Sequence, residues 1–219
     1  MKKLIDLSHS IINGMITYPG VTPPIICDFL SREASKSLYA DGVSFCINQI
    51  NMPANTGTYI DSPFHRYADG IDLAQLPLHS VANLEVVVCR PSKKQRAIGV
   101  ENFEGLDVAG KAVLVETGWS QHWGTEQYNH GHPYLTSESA LYLKNNKAAL
   151  VGIDSLNIDD TDDPSRPVHS VLLGSNIPIV EHMCNIGEVP DTGSIFHAAP
   201  VKIQEFGTFP VRAYAVIEP

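Results

Sequence analysis

The chain has 219 residues, of which 43% are hydrophobic and 18% charged, and its net charge is −9 from 15 basic and 24 acidic residues. This length is typical of one sizeable domain, or at most two small ones, with a core that needs no disulfide or metal. The acidic balance argues against a nucleic-acid-binding protein, because its basic residues are scattered and the longest cluster, 93–96, predicts a solvated loop.

Compartment and redox state are indicated by what the chain lacks. No apolar run approaches the roughly 18 residues of a membrane span, and the apolar part of the N-terminus is too short for a signal peptide. The four cysteines form no CxxC pair, and we expect them to be buried thiols in a reducing compartment. Their positions are 27, 46, 89 and 184. We therefore expect a cytoplasmic protein without membrane association.

In chain order, the pattern of apolar residues predicts many strands and few helices. The loop at 12–24 is indicated by its Gly and Pro residues. The predicted strands are 3–8, 43–52, 84–89, 111–117, 148–153, 177–182 and 211–217. The nearly continuous apolar runs at 111–117 and 148–153 are typical of central strands that are covered on both faces.

Two helices are predicted. Thr136 can cap a helix through SESALYLKNN with Ala140, Leu141 and Leu143 facing inward, and a second helix covers 168–174 and ends at Gly174. Strands outnumber helices and alternate with them irregularly, without a long linker. This predicts one α/β or α+β domain with a mixed sheet, spanning residues 1–219.

A polar pattern stands out at 55–65, NTGTYIDSPFH. If this stretch is extended, Asn55, Tyr59, Asp61 and His65 lie on one face, because alternate side chains of a strand point the same way. That face could line a pocket. A solvated edge strand explains the same pattern.

A second polar group comes late in the chain. His169 lies at the head of an apolar helix, and Glu181 follows an Ile- and Val-rich run. A buried Glu needs a cation, a metal or a proton, although pairing with a nearby Arg or Lys or a capping role would also satisfy it. The acidic run at 159–163 lacks the spacing of an EF-hand and predicts a solvated loop.

The remaining histidines carry weaker signals. His122, His130 and His132 lie in an aromatic, Gly-containing loop that is typical of a lid or a subunit contact. The spacing of these histidines is only weakly indicative of a metal site, since the loop has no HExxH pattern and no Cys partner. His79 follows a short apolar run and is expected on a surface loop.

The motif at 55–65 resembles the signature of the cyclase-like metal-dependent hydrolase family, which includes bacterial kynurenine formamidases and isatin hydrolases. That signature reads H-x-G-T-H-x-D-x-P-x-H, and this chain has N-T-G-T-Y-I-D-S-P-F-H in the same register. The segments IDLSHSIINGMITYPG, TGWSQHWG, LVGIDSLNID and PVRAYAVI are also similar to the family, as is the stretch from His169 to Glu181. The resemblance therefore covers nearly the whole chain.

The resemblance implies a fold and a site. The fold is a single mixed-sheet α/β domain of the swivelling β/β/α type, assembled as a homodimer or homotetramer. The site binds divalent metal through the motif's early histidines, its aspartate (Asp61), and the residues that match His169 and Glu181. The motif's last histidine, His65 here, gives and takes protons, and an aromatic residue matching Tyr18 lines the substrate pocket.

Two positions depart from the family pattern, since Asn55 and Tyr59 replace both early histidines. Asn is a weak neutral ligand, and Tyr binds metal only when deprotonated. Asp61, His169 and Glu181 remain, and three such ligands suffice for one catalytic ion, Zn or Mn.

We therefore predict a metal-dependent hydrolase of a small amide or lactone, acting on a small-molecule substrate. In this prediction His65 shuttles the proton, Tyr59 and Asn55 donate hydrogen bonds to the developing oxyanion, and Tyr18 stacks on the substrate. Two alternatives stay open: a metal-free acid–base cyclase or lyase that uses His65 with a carboxylate, and an inactive relative that binds a small ligand.

Overall fold

A mixed nine-stranded sheet runs through the molecule. The computed structural model describes residues 2–92 and 94–217. The helices within these ranges are α1 Arg32–Ser35, α2 Ser137–Asn145 and α3 Pro167–Leu173. The strands are β1 Lys3–Asp6, β2 Ile25–Leu30, β3 Ile47–Asn51, β4 Tyr59–Asp61, β5 Ala82–Cys89, β6 Ala97–Ile98, β7 Ala112–Val115, β8 Tyr134–Leu135, β9 Leu150–Ile153, β10 Ile179–Glu181, β11 Ser194–His197, β12 Thr208–Pro210 and β13 Tyr214–Ile217.

The large sheet has the order β1-β13-β11-β5-β7-β9-β10-β4-β12. Its middle, β5-β7-β9-β10, is parallel, and the strands on both sides of it pair antiparallel. The central strands β7 and β9 are buried along their whole length, as expected for strands covered on both faces. The predicted α/β class with a mixed sheet is confirmed.

Two apolar layers cover the two faces of the sheet. Because side chains alternate along a strand, Val86 and Leu114 pack into one layer while Val87 and Val113 pack into the other. The second layer also holds the apolar sides of α2 and α3, through residues such as Leu143. Both helices thus lie on one face.

Most predicted elements are present with shorter bounds. Thr136 caps α2, and its Oγ1 accepts a hydrogen bond from the Ser139 amide at 3.3 Å. Ala140 and Leu143 are buried as predicted, but the prediction for Leu141 is wrong, because it is 44% exposed. Strand β2 was not predicted, since it follows directly on a Pro-rich loop.

The motif at 55–65 is extended over only three residues. Gly57 turns the backbone with φ +67°, β4 covers Tyr59–Asp61, and residues 63–65 form a 3-10 turn that begins at Pro63. The prediction of one extended segment is therefore wrong at both ends. His65 reaches the site from a turn.

The hairpin of β2 and β3 projects from the body. Almost every residue of these strands is exposed, so the prediction that all four cysteines are buried is wrong for Cys27, which is exposed, and Cys46, which is half-buried. Cys89 and Cys184 are buried. In the basic cluster, Lys94 and Arg96 are exposed, and Lys93 lies outside the described residues. No helix within the described ranges has the length and apolar character to cross a membrane.

Candidate active site

The centre of the site is strand β4, which is flanked by β10 on one side and β12 on the other. The antiparallel registers place Tyr59 opposite Glu181 and Asp61 opposite Thr208. Directly opposed side chains in antiparallel strands lie within contact distance. The register therefore joins residues that are more than a hundred positions apart in sequence.

His169 enters the site from the first turn of α3 and is held by Asp159. The Asp159 carboxylate accepts hydrogen bonds from the backbone amides of Val168 at 2.7 Å and His169 at 3.0 Å, and from His169 Nδ1 at 2.6 Å. It thus satisfies the helix N-terminus and fixes the imidazole at the same time. Asp159 is fully buried, so the prediction that it lies in a solvated loop is wrong. Within the same run, the side chain of Asp162 is 87% exposed, as predicted.

Two carboxylate oxygens lie beside the ring of His169. Its Nε2 lies 3.7 Å from Asp61 Oδ2 and 3.7 Å from Glu181 Oε1. All three side chains are buried, and Asp61 Oδ2 has no hydrogen-bond partner. Two ligand atoms at ~2.1 Å from a tetrahedral zinc ion lie about 3.4 Å apart, so each of the two carboxylates is spaced to share a divalent ion with His169. Of the residues predicted as metal ligands, Asp61 and Glu181 each lie close to His169.

Negative charge dominates this cluster. The imidazole of His169 is surrounded by the buried carboxyl groups of Asp61, Asp159 and Glu181. Burial opposes its charge, but the hydrogen bond to Asp159 and the nearby carboxyl groups of Asp61 and Glu181 raise the pKa of His169 to about 10. Burial raises the pKa of Glu181 to about 7 against the opposing effect of His169. The pocket favours a cation, and protonated His169 supplies that charge when no metal is bound.

Glu181 is held by neutral donors on its other sides. The Tyr59 hydroxyl donates to Glu181 Oε2 at 2.6 Å, and the Ile158 amide donates to Oε1 at 2.7 Å. Asn157 Nδ2 donates to the Tyr18 hydroxyl at 2.8 Å, and Tyr18 in turn donates to the Leu156 carbonyl at 2.6 Å. Tyr18 and Tyr59 thus belong to one hydrogen-bonded network around a ligand carboxylate. The alternative that Glu181 pairs with an Arg or Lys does not match these contacts.

His65 lies at the edge of the cluster, with its side chain 35% exposed. Thr208 Oγ1 donates its single proton to Asp61 Oδ1, so it must accept a hydrogen bond from His65 Nδ1, which lies 2.8 Å away. The neutral ring therefore carries its proton on Nδ1, and the lone pair of Nε2 is free to accept a second proton. His65 and the half-buried Asn55 both line a cleft of about 230 Å³.

His65 belongs to a compact group of possible metal ligands. One ligand atom from each of Asp61, His65 and His169 lies within 4.8 Å of the other two, and Glu181 adjoins this group through its 3.7 Å approach to His169. The sequence did not indicate His65 as a ligand. It also missed Asp159, Asn157 and Thr208, whose roles depend on contacts between distant segments.

The histidines of the aromatic loop differ in their burial. His132 is 1% exposed and its Nε2 contacts the Asp159 carbonyl at 3.2 Å, so it packs beneath the site and is no part of a surface lid. Trp123 stacks on His9 with ring centroids 4.1 Å apart, and Tyr128 contacts His182 Nδ1 at 3.0 Å. His130 is exposed and His122 is half-buried. His79 is exposed, as predicted.

The fold and the site define an α/β protein with a buried carboxylate–histidine centre of the kind that binds divalent metal. A family model named Cyclase, with the description "Putative cyclase", matches residues 5–160. The chain belongs to this family, which confirms the resemblance seen in the sequence.

Individual relatives span the chain from end to end. The chain is 30% identical over 210 residues to a kynurenine formamidase of Bacillus cytotoxicus, covering 95% of each chain. It is 29% identical to a kynurenine formamidase of Bacillus cereus, covering 98% of this chain and 97% of the relative.

Solved structures have the same fold. An isatin hydrolase A from Labrenzia aggregata superposes with a TM-score of 0.83 at 21% identity, covering 100% of this chain and 94% of that one. A structure described as a potential metal-dependent hydrolase with cyclase activity superposes with a TM-score of 0.82 at 22% identity, with full coverage of both chains.

Proposed function

We propose that this protein is a divalent-metal-dependent hydrolase that cleaves the carbon–nitrogen bond of a small amide. The observation that carries the proposal is that His169 Nε2 lies 3.7 Å from a carboxylate oxygen of Asp61 and 3.7 Å from one of Glu181, beside His65. Full-length relatives named kynurenine formamidase support the reaction class. The protein is an enzyme of the hydrolase class, in agreement with the sequence prediction.

The residues present fit one metal ion. Asp61 Oδ2 is buried and unpartnered, and a buried charged oxygen needs a partner. Two carboxylates and one imidazole favour Zn²⁺ or Mn²⁺, and Asp61, His169 and Glu181 would hold the ion. When bound, such an ion supplies Lewis-acid polarisation of the substrate carbonyl and lowers the pKa of a water molecule toward ~7. Asn55 and Tyr59 provide no nitrogen ligand for a second ion.

His65 is placed to move the proton. Its Nδ1–H is directed at Thr208, so the free Nε2 can accept a proton from the attacking water and pass it to the leaving amine. The partial exposure of this side chain allows its proton to exchange with solvent. Thr208 accepts a hydrogen bond from His65 Nδ1 and donates one to Asp61, so it connects the imidazole to this buried carboxylate.

Tyr59 takes a supporting role in this scheme. Its hydroxyl is committed to Glu181 Oε2, so we propose that it orients this ligand, in place of the predicted hydrogen bond to an oxyanion. Asn55, beside His65 in the open cleft, keeps the predicted substrate-binding role. Tyr18 is half-buried, and its ring keeps the predicted role of stacking on the substrate.

The substrate class we propose is an aryl formamide, a small cytoplasmic metabolite. Relatives named kynurenine formamidase support the formyl amide of kynurenine as the first compound to assay. Isatin, a cyclic amide, is the second, because solved neighbours of the same fold are described as isatin hydrolases.

Metal reconstitution tests the proposal. Purified protein is stripped with a chelator, reloaded with Zn²⁺ or Mn²⁺, and assayed on the formyl amide of kynurenine and on isatin, with metal content measured by elemental analysis. We expect about one ion per chain and hydrolysis only in the loaded protein. Binding of neither metal would overturn the proposal, as would equal turnover with and without metal.

A further inference from the structure

The turn that carries His65 packs against a segment late in the chain. We call residues 205–208 the bridging segment, because they join the loop after β11 to strand β12. The Ser62 amide donates to the Gly207 carbonyl at 2.7 Å, and the Ser62 hydroxyl donates to the same carbonyl at 3.0 Å. The position of the turn is therefore tied to the position of the bridging segment.

Gly207 lies directly against the backbone of this turn. A Cβ atom at position 207 would lie 2.5 Å from the His65 amide nitrogen and 2.6 Å from the His65 Cα atom. Atoms in van der Waals contact are about 3.5–4.0 Å apart, so a side chain here would displace the turn. The close approach of the two backbones thus fixes the height of His65 above the sheet.

Thr208, the last residue of the bridging segment, orients the ring of His65. Its hydroxyl lies 2.8 Å from His65 Nδ1 and donates to the Asp61 carboxylate. The backbone of Thr208 also pairs with that of Asp61 in the sheet. The direction of the imidazole therefore depends on where the bridging segment places Thr208.

Asp72 fixes the other end of the bridging segment. Its buried carboxylate accepts hydrogen bonds from the Glu205 amide at 2.7 Å and from the Gln75 amide at 2.9 Å. Glu205 has a φ of +55°, which a residue other than glycine keeps only where its surroundings hold it. The Leu73 amide adds a hydrogen bond to the Phe206 carbonyl at 2.9 Å. The carboxylate of Asp72 thus stabilises a strained backbone conformation at the start of the segment.

We propose that Asp72 is a positioning residue for His65 and that it acts through the bridging segment. The proposal rests on the proposed function, in which His65 protonates the leaving amine. A displacement of about 1 Å in such a group can lower a rate by about 100-fold. Asp72 controls this placement from a buried position and does not line the cleft that holds His65.

The variant Asp72→Asn tests the proposal. It keeps the size of the side chain, but the amide nitrogen cannot accept a hydrogen bond, so one of the two backbone amides loses its acceptor. We expect kcat on formanilides, which are simple aryl formamides, to fall by about 10- to 100-fold with little change in KM. Asp69→Asn, the same change at an exposed position of the same loop, is the matched control.

The leaving amine separates misplacement of His65 from a loss of folded protein. A formanilide with a basic leaving amine, such as the methoxy-substituted one, depends most on protonation, and the nitro-substituted one depends least. Asp72→Asn should therefore lose more activity on the methoxy than on the nitro compound, as should His65→Ala. A smaller amount of folded protein would lower both rates by the same factor. Gly207→Ala displaces the same turn by a different route and should give the same pattern.

A measurement without substrate follows the tautomer of His65. In nitrogen-labelled protein, NMR should show the neutral ring protonated on Nδ1 in the wild-type chain, because Nδ1 donates to Thr208. Asp72→Asn should raise the population that is protonated on Nε2, and Asp69→Asn should leave it unchanged. The spectrum of His65→Ala identifies the resonances.

The two measurements distinguish this proposal from the proposed function. If the wild-type chain hydrolyses no formamide, the proposed function fails, and the tautomer of His65 still tests its placement by Asp72. An unchanged tautomer in Asp72→Asn would overturn the proposal, as would equal losses of activity on the two formanilides. Identical behaviour of Asp69→Asn and Asp72→Asn would overturn it as well.

Discussion

Asp159 and His169 form one unit in which a buried carboxylate both caps helix α3 and fixes the imidazole that this helix carries. The Asp159 Oδ2 atom lies 2.6 Å from His169 Nδ1 and 3.0 Å from the His169 amide. The second ring nitrogen, Nε2, consequently faces Asp61 and Glu181. Helix position and ligand orientation therefore depend on a single side chain.

Replacing this carboxylate should weaken metal binding without removing a ligand. Asp159→Asn keeps the size of the side chain but loses the charge and one of its two acceptor oxygens. We expect metal affinity to fall by about 10- to 100-fold, as is typical when the partner of a ligating histidine is lost. Competition with a chromophoric chelator measures this. Asp162→Asn is the control from the same acidic run, and equal affinities of the two variants would contradict the role of Asp159.

The Tyr59 hydroxyl should stabilise the folded protein through Glu181. Tyr59→Phe keeps the buried ring but removes the 2.6 Å hydrogen bond to a buried carboxylate. We expect a loss of about 1–3 kcal/mol in the free energy of unfolding, because a buried charged acceptor loses a donor. Urea denaturation of the metal-free protein at pH 8 measures it, since Glu181, with a pKa of about 7, is then ionised.

A matched tyrosine gives the comparison for this experiment. The Tyr67 hydroxyl donates to the neutral Ser170 carbonyl at 2.9 Å from a partly buried position. Tyr67→Phe should therefore cost less, about 0.5–1.5 kcal/mol. If Tyr59→Phe costs no more than Tyr67→Phe, the hydroxyl of Tyr59 does not support Glu181.

The sequence indicated the ligand-type residues but not the contacts that join them. Asp61, His169 and Glu181 were recognisable because polar residues stood beside apolar runs and matched a family pattern. Asp159 was not, because in sequence it looks like Asp162, and only the fold shows that one is buried and the other exposed. Local composition cannot make that distinction, since it depends on where α3 packs.

The register of strand pairing could likewise not be predicted from the sequence. Tyr59 meets Glu181 because β4 and β10 pair antiparallel in one specific register, and a shift of one residue would turn their side chains to the opposite face. The exposure of Cys27 has a similar origin. Free cysteines are usually buried, but β2 and β3 pair only with each other, outside the large sheet, which leaves Cys27 exposed.

His65 should be required for turnover and dispensable for metal binding. His65→Ala removes the Nε2 base, and we expect kcat to fall by about 10²- to 10⁴-fold with unchanged metal content. Steady-state kinetics and elemental analysis measure the two quantities, and added imidazole should restore part of the activity.

Loss of the ion from His65→Ala would instead identify His65 as a metal ligand, as its position beside Asp61 and His169 allows. Full activity would contradict both roles. His79→Ala, at an exposed position, is the control.

Acid should destabilise the fold through His132. Burial, assisted by the positive charge of Arg96, lowers the pKa of this imidazole from 6.5 to about 4. The unfolded chain therefore binds a proton that the folded chain excludes, so this contribution to stability is complete above pH 6.5 and is lost as the pH falls toward 4. We expect His132 to account for about 2 kcal/mol of the stability lost between pH 7 and pH 5.

The variant His132→Gln isolates this effect, because the amide is polar but does not titrate over this range. Urea denaturation at pH 7 and pH 5 should show a smaller stability difference in the variant than in the wild-type chain, by about the same 2 kcal/mol. His79→Gln, the same substitution at an exposed histidine, is the control. An equal pH dependence in His132→Gln and the wild-type chain would show that His132 takes up its proton as easily in the folded protein as in the unfolded one.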